Sequence, residues 1–180
     1  MKEIVLAGFG GQGVLTAGLI ISQMASFKGY NATWSPQYGS AMRGGTAMCT
    51  VKFGKEYIYH PTADTPNILL AMNRGGYDAY SNTVKPGGTI VINSDEINVE
   101  EINLRTDVNN VVVPCKQIAK ENDVARSENI VMVGVVIRET EDFTYEEALN
   151  GMNDMFRKKG KEAFEESNTI ALKAGWDYKK

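Results

Sequence analysis

Gly8, Gly10 and Gly13 stand between a short apolar run, Glu3–Ala7, and a longer apolar stretch, Val14–Ala25. This G-x-G-x-x-G spacing constrains the fold more than any other feature of the chain. The run before it predicts a buried strand over about residues 2–7. The stretch after it predicts a helix over about 13–28, with Gly29 as its C′ residue. Glycine lets the chain turn tightly, lets backbone N–H groups approach a ligand, and lets the helix begin close to the strand. The helix N-terminus then carries partial positive charge suited to an anion. A strand, a glycine turn and a helix open a doubly wound α/β fold.

A dinucleotide site asks for more. It needs an acidic residue at the end of the second strand, about 20 residues further on, to bind the ribose hydroxyls. Here that region reads Asn31-Ala32-Thr33-Trp34-Ser35-Pro36-Gln37-Tyr38, without Asp or Glu. Arg43, the nearest cation for a 2′-phosphate, lies well past the strand. The motif by itself leaves three readings open: a nucleotide site, a site for another anionic group, or a structural turn.

A second unusual stretch, Tyr38-Gly39-Ser40-Ala41-Met42-Arg43-Gly44-Gly45-Thr46, sets one arginine among small residues. Small residues allow close approach to another surface, and a guanidinium offers a planar fork to carboxylate or phosphate. A surface loop with an exposed arginine is the equal alternative.

The remaining pattern predicts a single domain over residues 1–180. Strand two is Ala32–Ser35, ended by Pro36. Thr46–Phe53 and Tyr57–Tyr59, joined by Gly54-Lys55-Glu56, predict a β-hairpin. Asn67–Met72, Thr89–Asn93 and Asn110–Pro114 are further strands. Helices are expected around Arg74–Asn82 and Gln117–Asp123, and Ser94–Asn109 is a loop with one helical turn at most. Asn129–Ile137 fits a strand or a buried helix equally well. Thr144 and Glu147 form a T-x-x-E capping box before Ala148, Leu149, Met152, Met155 and Phe156, and Gly160 closes that helix. A last helix spans about Lys161–Ala174, with Ala163, Phe164, Ile170 and Ala171 as its apolar side and Gly175 as its end. The expected fold is a Rossmann-like α/β domain: a mainly parallel sheet with helices on both faces, plus the hairpin.

Composition narrows the chemistry. A net charge of -3 gives no electrostatic case for nucleic acid. No apolar run reaches transmembrane length, and Met1-Lys2-Glu3 leads straight into the first strand without a signal peptide. Neither nucleic acid nor a membrane is therefore an expected partner, and a cytoplasmic location is expected. Cys49 and Cys115 lie far apart, both in or beside apolar runs. That is no ferredoxin or zinc spacing, so no cluster or metal is expected on this chain. The lone histidine, His60, precedes Pro61 in a turn. No G-x-S-x-G, no P-loop lysine and no carboxylate pair is legible, so no catalytic residue is assigned. Glycine-rich surfaces without a chemical engine point to a subunit whose chemistry is completed by partners.

Taken together, Gly8-Phe9-Gly10-Gly11-Gln12-Gly13, Tyr38-Gly39 leading to Arg43-Gly44-Gly45-Thr46, Asn129 before Gly134, and Asn168 before Gly175 resemble the gamma subunit of 2-oxoacid:ferredoxin oxidoreductases. The resemblance runs in the same order over nearly the whole chain. Ser40-Ala41 departs from the Pro-Glu common at that place, so no acid of this loop inherits a role. The resemblance implies oxidative decarboxylation of a 2-oxoacid (pyruvate, 2-oxoglutarate or ketoisovalerate), transfer of the acyl group to coenzyme A, and two electrons passed to ferredoxin. It implies thiamine diphosphate with magnesium between alpha and beta subunits, and iron–sulfur clusters in other chains such as a ferredoxin-like delta subunit. None of these cofactors would be bound by this chain alone, and coenzyme A would be the co-substrate. Gly8, Gly10, Gly11, Gln12, Gly13, Tyr38, Gly39, Arg43, Gly44 and Gly45 would face ligand or partners. Isolated, the chain could pair as a homodimer through the surface its partners cover. The small subunit of indolepyruvate oxidoreductase, an NAD(P)-binding domain and a non-catalytic interaction module are the alternatives.

Overall fold

The computed structural model describes residues 1–38 and 45–179, and every structural statement below concerns those residues. Arg43, Gly39 and Gly44 of the predicted site lie outside them. Strand β1, Lys2–Phe9, leads through the glycine turn into helix α1, Val14–Phe27. Lys28 and Gly29 end that helix as expected: Gly29 has φ +89°, and Tyr30 N–H reaches back to the Ala25 carbonyl, closing a Schellman turn. Strands β2 (Asn31–Tyr38) and β3 (Thr46–Gly54) follow, then β4 (Ile68–Ala71), α2 (Arg74–Tyr80), β5 (Thr89–Asn93) and β6 (Asn109–Val113). Four helices complete the chain: α3 (Cys115–Glu121), α4 (Glu128–Thr140), α5 (Tyr145–Lys158) and α6 (Glu165–Asp177).

The six strands form one sheet in the order β2-β3-β1-β4-β5-β6. From β1 to β6 neighbours run parallel, while β3 is antiparallel to both β1 and β2. Both faces are apolar because side chains alternate along each strand. Ile4, Leu6, Val51, Phe53, Leu70 and Val91 point to the face covered by α1 and α3–α6. Val5, Ala7, Leu69, Ala71, Ile90 and Ile92 point to the other, where Tyr77 of α2 and Ile97 and Ile102 of the following loop close a smaller core.

Several expectations are corrected by this arrangement. Tyr57–Tyr59 is no strand, and its two tyrosine rings are exposed and meet edge to face. The antiparallel partners of β3 are β1 and β2 instead, and the strand next to it in sequence is β2, joined through residues 39–45 rather than through Gly54–Glu56. Pro36 does not end β2, which continues to Tyr38. It is tolerated because β2 is the sheet edge, where a missing N–H leaves no ladder partner wanting. Asn129–Ile137 is helical, and Ile130–Ile137 are all buried because α4 packs against the sheet, α1, α3 and α6 at once. A helix covered on every side shows no apolar stripe.

The last helix also differs. It begins at Glu165 after a 3₁₀ turn, Glu162–Phe164, and runs through Gly175 to Asp177. Phe164 and Ile170 are exposed, and Asn168, Ala171, Leu172 and Gly175 form the buried face. Gly175 is therefore a crossing point rather than a terminus. A Cβ there would lie 1.9 Å from the Val131 carbonyl oxygen, and one on Gly134 would lie 2.4 Å from that of Leu172. The two glycines let the backbones of α4 and α6 touch.

Candidate functional site

The glycine turn sits at the carboxyl end of β1, beside those of β4 and β5, where open α/β sheets bind ligands. Its glycines serve different needs. Gly13 has φ +72° and caps α1, and a side chain there would strike Asn129 of α4 at 2.6 Å. Gly11 has φ +108° with open space around it. No side chain caps α1, and its first turn carries no acid. Its leading N–H groups lack an intrahelical acceptor, as at any helix start.

The two predicted halves of the site meet. Gly10 N–H donates to the Gly45 carbonyl at 3.0 Å, tying the glycine turn to the far end of the arginine loop. Tyr38, at the near end of that loop, is 63% exposed. It lines a cleft of about 310 Å3 with Phe9, Gly10, Gly11, Gly13 and Leu15. On the other side of β1 it lines a cleft of about 190 Å3 with Gly8, Gly75 and Gly76. Beyond Asn129 lies a mostly apolar groove of about 550 Å3 between the N-terminal end of α4 and the start of α6, with Arg126 and Lys161 among its lining residues.

Gln12 faces inward. Its Oε1 accepts from Phe9 N–H at 2.7 Å and from Asn73 Nδ2 at 3.1 Å, and its Nε2 donates to the Met72 carbonyl at 3.2 Å. Sequence reading missed Asn73 and Asn93, the two buried amides behind the turn. A signal existed: each closes an apolar strand run, Leu69-Leu70-Ala71-Met72-Asn73 and Ile90-Val91-Ile92-Asn93.

The two thiols lie behind this end rather than on its surface: Cys115 Sγ donates to Asn93 Oδ1 at 3.3 Å and Cys49 Sγ to the Val14 carbonyl at 3.7 Å. Cys49 and Cys115 are fully buried free thiols, and burial pushes both up to about 12. Among the described residues no three His, Cys, Asp or Glu side chains converge to hold a metal ion. The described residues therefore offer no donor set for an iron–sulfur cluster. His60 is exposed in its turn. No helix among the described residues is long and apolar enough to cross a membrane.

The geometry also bears on dinucleotides. In a nucleotide-binding sheet β2 lies next to β1, and its end reaches the ribose. Here β3 intervenes. It sets β2 about 10 Å from β1, two strand spacings. Position and chemistry of the ribose acid are both lacking.

The profile of the family described as pyruvate ferredoxin/flavodoxin oxidoreductase matches residues 3–178. The chain is 32% identical over 180 residues to ketoisovalerate oxidoreductase subunit VorA of Methanothermobacter marburgensis, covering 98% of this chain and 36% of that protein. It is 31% identical to 2-oxoglutarate synthase subunit KorC of Methanocaldococcus jannaschii, covering 99% of this chain and 94% of the relative. The chain thus spans about a third of the length of VorA and nearly all of KorC. The crystal structure of a keto/oxoacid ferredoxin oxidoreductase gamma subunit from Geobacter sulfurreducens superposes with a TM-score of 0.81 at 25% identity, over 98% of this chain and 97% of that one. A 2-oxoglutarate:ferredoxin oxidoreductase from Magnetococcus marinus, solved with 2-oxoglutarate, coenzyme A and succinyl-CoA bound, gives 0.80 at 25% identity, over 97% of this chain and 31% of that one.

Proposed function

The chain belongs to the pyruvate ferredoxin/flavodoxin oxidoreductase family, and from that membership we propose that residues 1–180 act as its single gamma-type domain, in a multisubunit 2-oxoacid:ferredoxin oxidoreductase. The complete enzyme converts a 2-oxoacid, coenzyme A and oxidised ferredoxin to acyl-CoA, CO2 and reduced ferredoxin. Alpha, beta and ferredoxin-like delta chains supply thiamine diphosphate, magnesium and the clusters, and the electrons leave on ferredoxin. This chain has a docking and gating role: it presents the glycine turn and the arginine loop to coenzyme A or to the catalytic subunits.

The observation that carries this role is the Gly10–Gly45 hydrogen bond. It draws two glycine-rich segments, far apart in sequence, into one surface at the end of the sheet. Gly10, Gly11 and Gly13 make one side of it, with Gly8 and the inward-facing Gln12 supporting them from behind. Tyr38 and Gly45 stand on the other, and Gly39, Arg43 and Gly44, outside the described residues, are assigned to the same surface by this reading, with Arg43 as the contact to phosphate or a partner carboxylate. The chain's own residues bind and orient, and hold no proton or electron in the reaction.

Anaerobic pull-down of the tagged chain from its host, followed by coenzyme A-dependent dye reduction with a panel of 2-oxoacids, tests the assignment. Thiamine-binding and cluster-binding chains are expected in the eluate, with activity. Recovery of the chain alone, with bound nucleotide and no oxoacid turnover, overturns it. Arg43→Ala should raise the apparent KM for coenzyme A, or weaken subunit retention, by about tenfold, the worth of one charged hydrogen bond. Unchanged values for both would remove Arg43 from the role.

A further inference from the structure

The glycine turn is shaped from behind. Two buried amides stand at the strand ends beneath it, and neither is free to flip. Asn73 Oδ1 accepts from Gly76 N–H at 2.8 Å as the N-cap of α2, so its Nδ2 must face Gln12 Oε1, 3.1 Å away. Asn93 Oδ1 accepts from Asp95 N–H at 3.1 Å and from the Cys115 thiol at 3.3 Å. Its Nδ2 must then face the Met72 carbonyl, at 3.1 Å. That carbonyl also takes Gln12 Nε2 at 3.2 Å, which fills both of its acceptor sites. With Nε2 placed, Gln12 Oε1 is left for Phe9 N–H, at 2.7 Å. Each amide orientation is thus set by a backbone N–H and passed to the next.

The relay also accounts for the first glycine. A Cβ on Gly8 would lie 2.6 Å from Gln12 Oε1 and 2.9 Å from Met72 Cβ. Gly8 makes room for the amide that holds the turn, rather than for a ligand.

We propose that Asn73 and Asn93 are positioning residues: through Gln12 and the Met72 carbonyl they hold the glycine turn in the one shape that sets Gly10 against Gly45 and leads into the start of α1. A primary amide suits these places, because each must accept on one side and donate on the other while buried. This inference rests on the proposed reading that the turn faces coenzyme A or the catalytic subunits.

Asn73→Asp tests it. A carboxylate caps α2 as well as an amide does, but it cannot donate to Gln12. Gln12 must then turn its N–H₂ toward residue 73, and Phe9 N–H loses its acceptor. Hydrogen exchange of the isolated full chain should quicken about tenfold over residues 9–13, the loss of about one hydrogen bond, and stay unchanged in β4 and α5. In the reconstituted complex the apparent KM for coenzyme A should rise several-fold with kcat unchanged. Thr144→Ala, which loses a cap on a different helix, is the control and should change neither readout.

Unchanged exchange at residues 9–13 overturns the inference. So does equal quickening in the Thr144→Ala control, or faster exchange with an unchanged KM. The wild-type complex separates the two levels. If it shows no coenzyme A-dependent oxidation, the functional reading has failed, while the exchange result still judges whether the amides hold the turn.

Discussion

At Gly175 the limit is space, whereas at Gly11 it is backbone angle. A methyl group on Gly175 would lie 1.9 Å from the Val131 carbonyl oxygen, and both belong to backbone that cannot rotate away. Gly175→Ala must therefore separate α4 from α6, and should destabilise by about 3 kcal/mol in urea unfolding, the upper end of ordinary overpacking. A loss under about 0.5 kcal/mol, the range of neutral surface changes, would show that this crossing is looser than described. The two cysteines give a second residue-scale test. Both are fully buried and pushed up to about 12, so neither should react with a thiol reagent at pH 8 until the chain unfolds. Reaction of either thiol in the native protein would contradict their burial. Sequence showed both cysteines as buried thiols from their apolar neighbours. It read Gly175 as a helix end, because a glycine near a C-terminus looks the same whether it stops a helix or lets another one pass.

Among the elements, α5 was the most legible, since its signals are local. Thr144 Oγ1 accepts from Glu147 N–H, and the Glu147 carboxylate accepts from Thr144 N–H, within one turn. Thr144→Ala should cost about 1 kcal/mol, measured by thermal or urea unfolding. No measurable loss would mean that the cap is replaced by water. Glu147 also accepts from Lys28 at 2.7 Å, linking the C-terminal end of α1 to the start of α5. The Lys28 hydrogen bond holds this carboxyl below its ordinary value. The stability it contributes is thus present above the usual glutamate range, near pH 4.3, and is lost as pH falls through the lower folded value. Glu147→Gln should flatten that part of the acid limb of the urea midpoint, and an unchanged limb would sink the idea. The less legible elements depend on distant neighbours. Tyr57–Tyr59 has strand-like residues, yet both edges of β3 are already taken by β1 and β2. The run in α4 is apolar on all sides because three other helices and the sheet surround it.

For the whole molecule, burial of the two thiols makes stability depend on alkaline pH. Their folded values near 12 lie above the ordinary thiol value of about 8.5, so above that pH the unfolded chain loses protons that the folded chain keeps. Their contribution is complete below about pH 8.5 and declines as pH rises toward 12. The urea midpoint should fall across this window, and less steeply in Cys49→Ala, while a flat profile to pH 10 would contradict the account. The sequence by itself determined the strand–glycine–helix opening, the α5 cap, the apolar strands and, through motif order, the resemblance to the oxidoreductase gamma subunits. These rest on backbone angles and side-chain patterns that act within a few residues. The tertiary structure alone decided that β3 enters between β1 and β2, that Gln12 turns inward onto Asn73 and Met72, and that Gly175 is a crossing rather than an end. Strand order and amide orientation are set by which distant groups come to share a surface, and no local propensity carries that information.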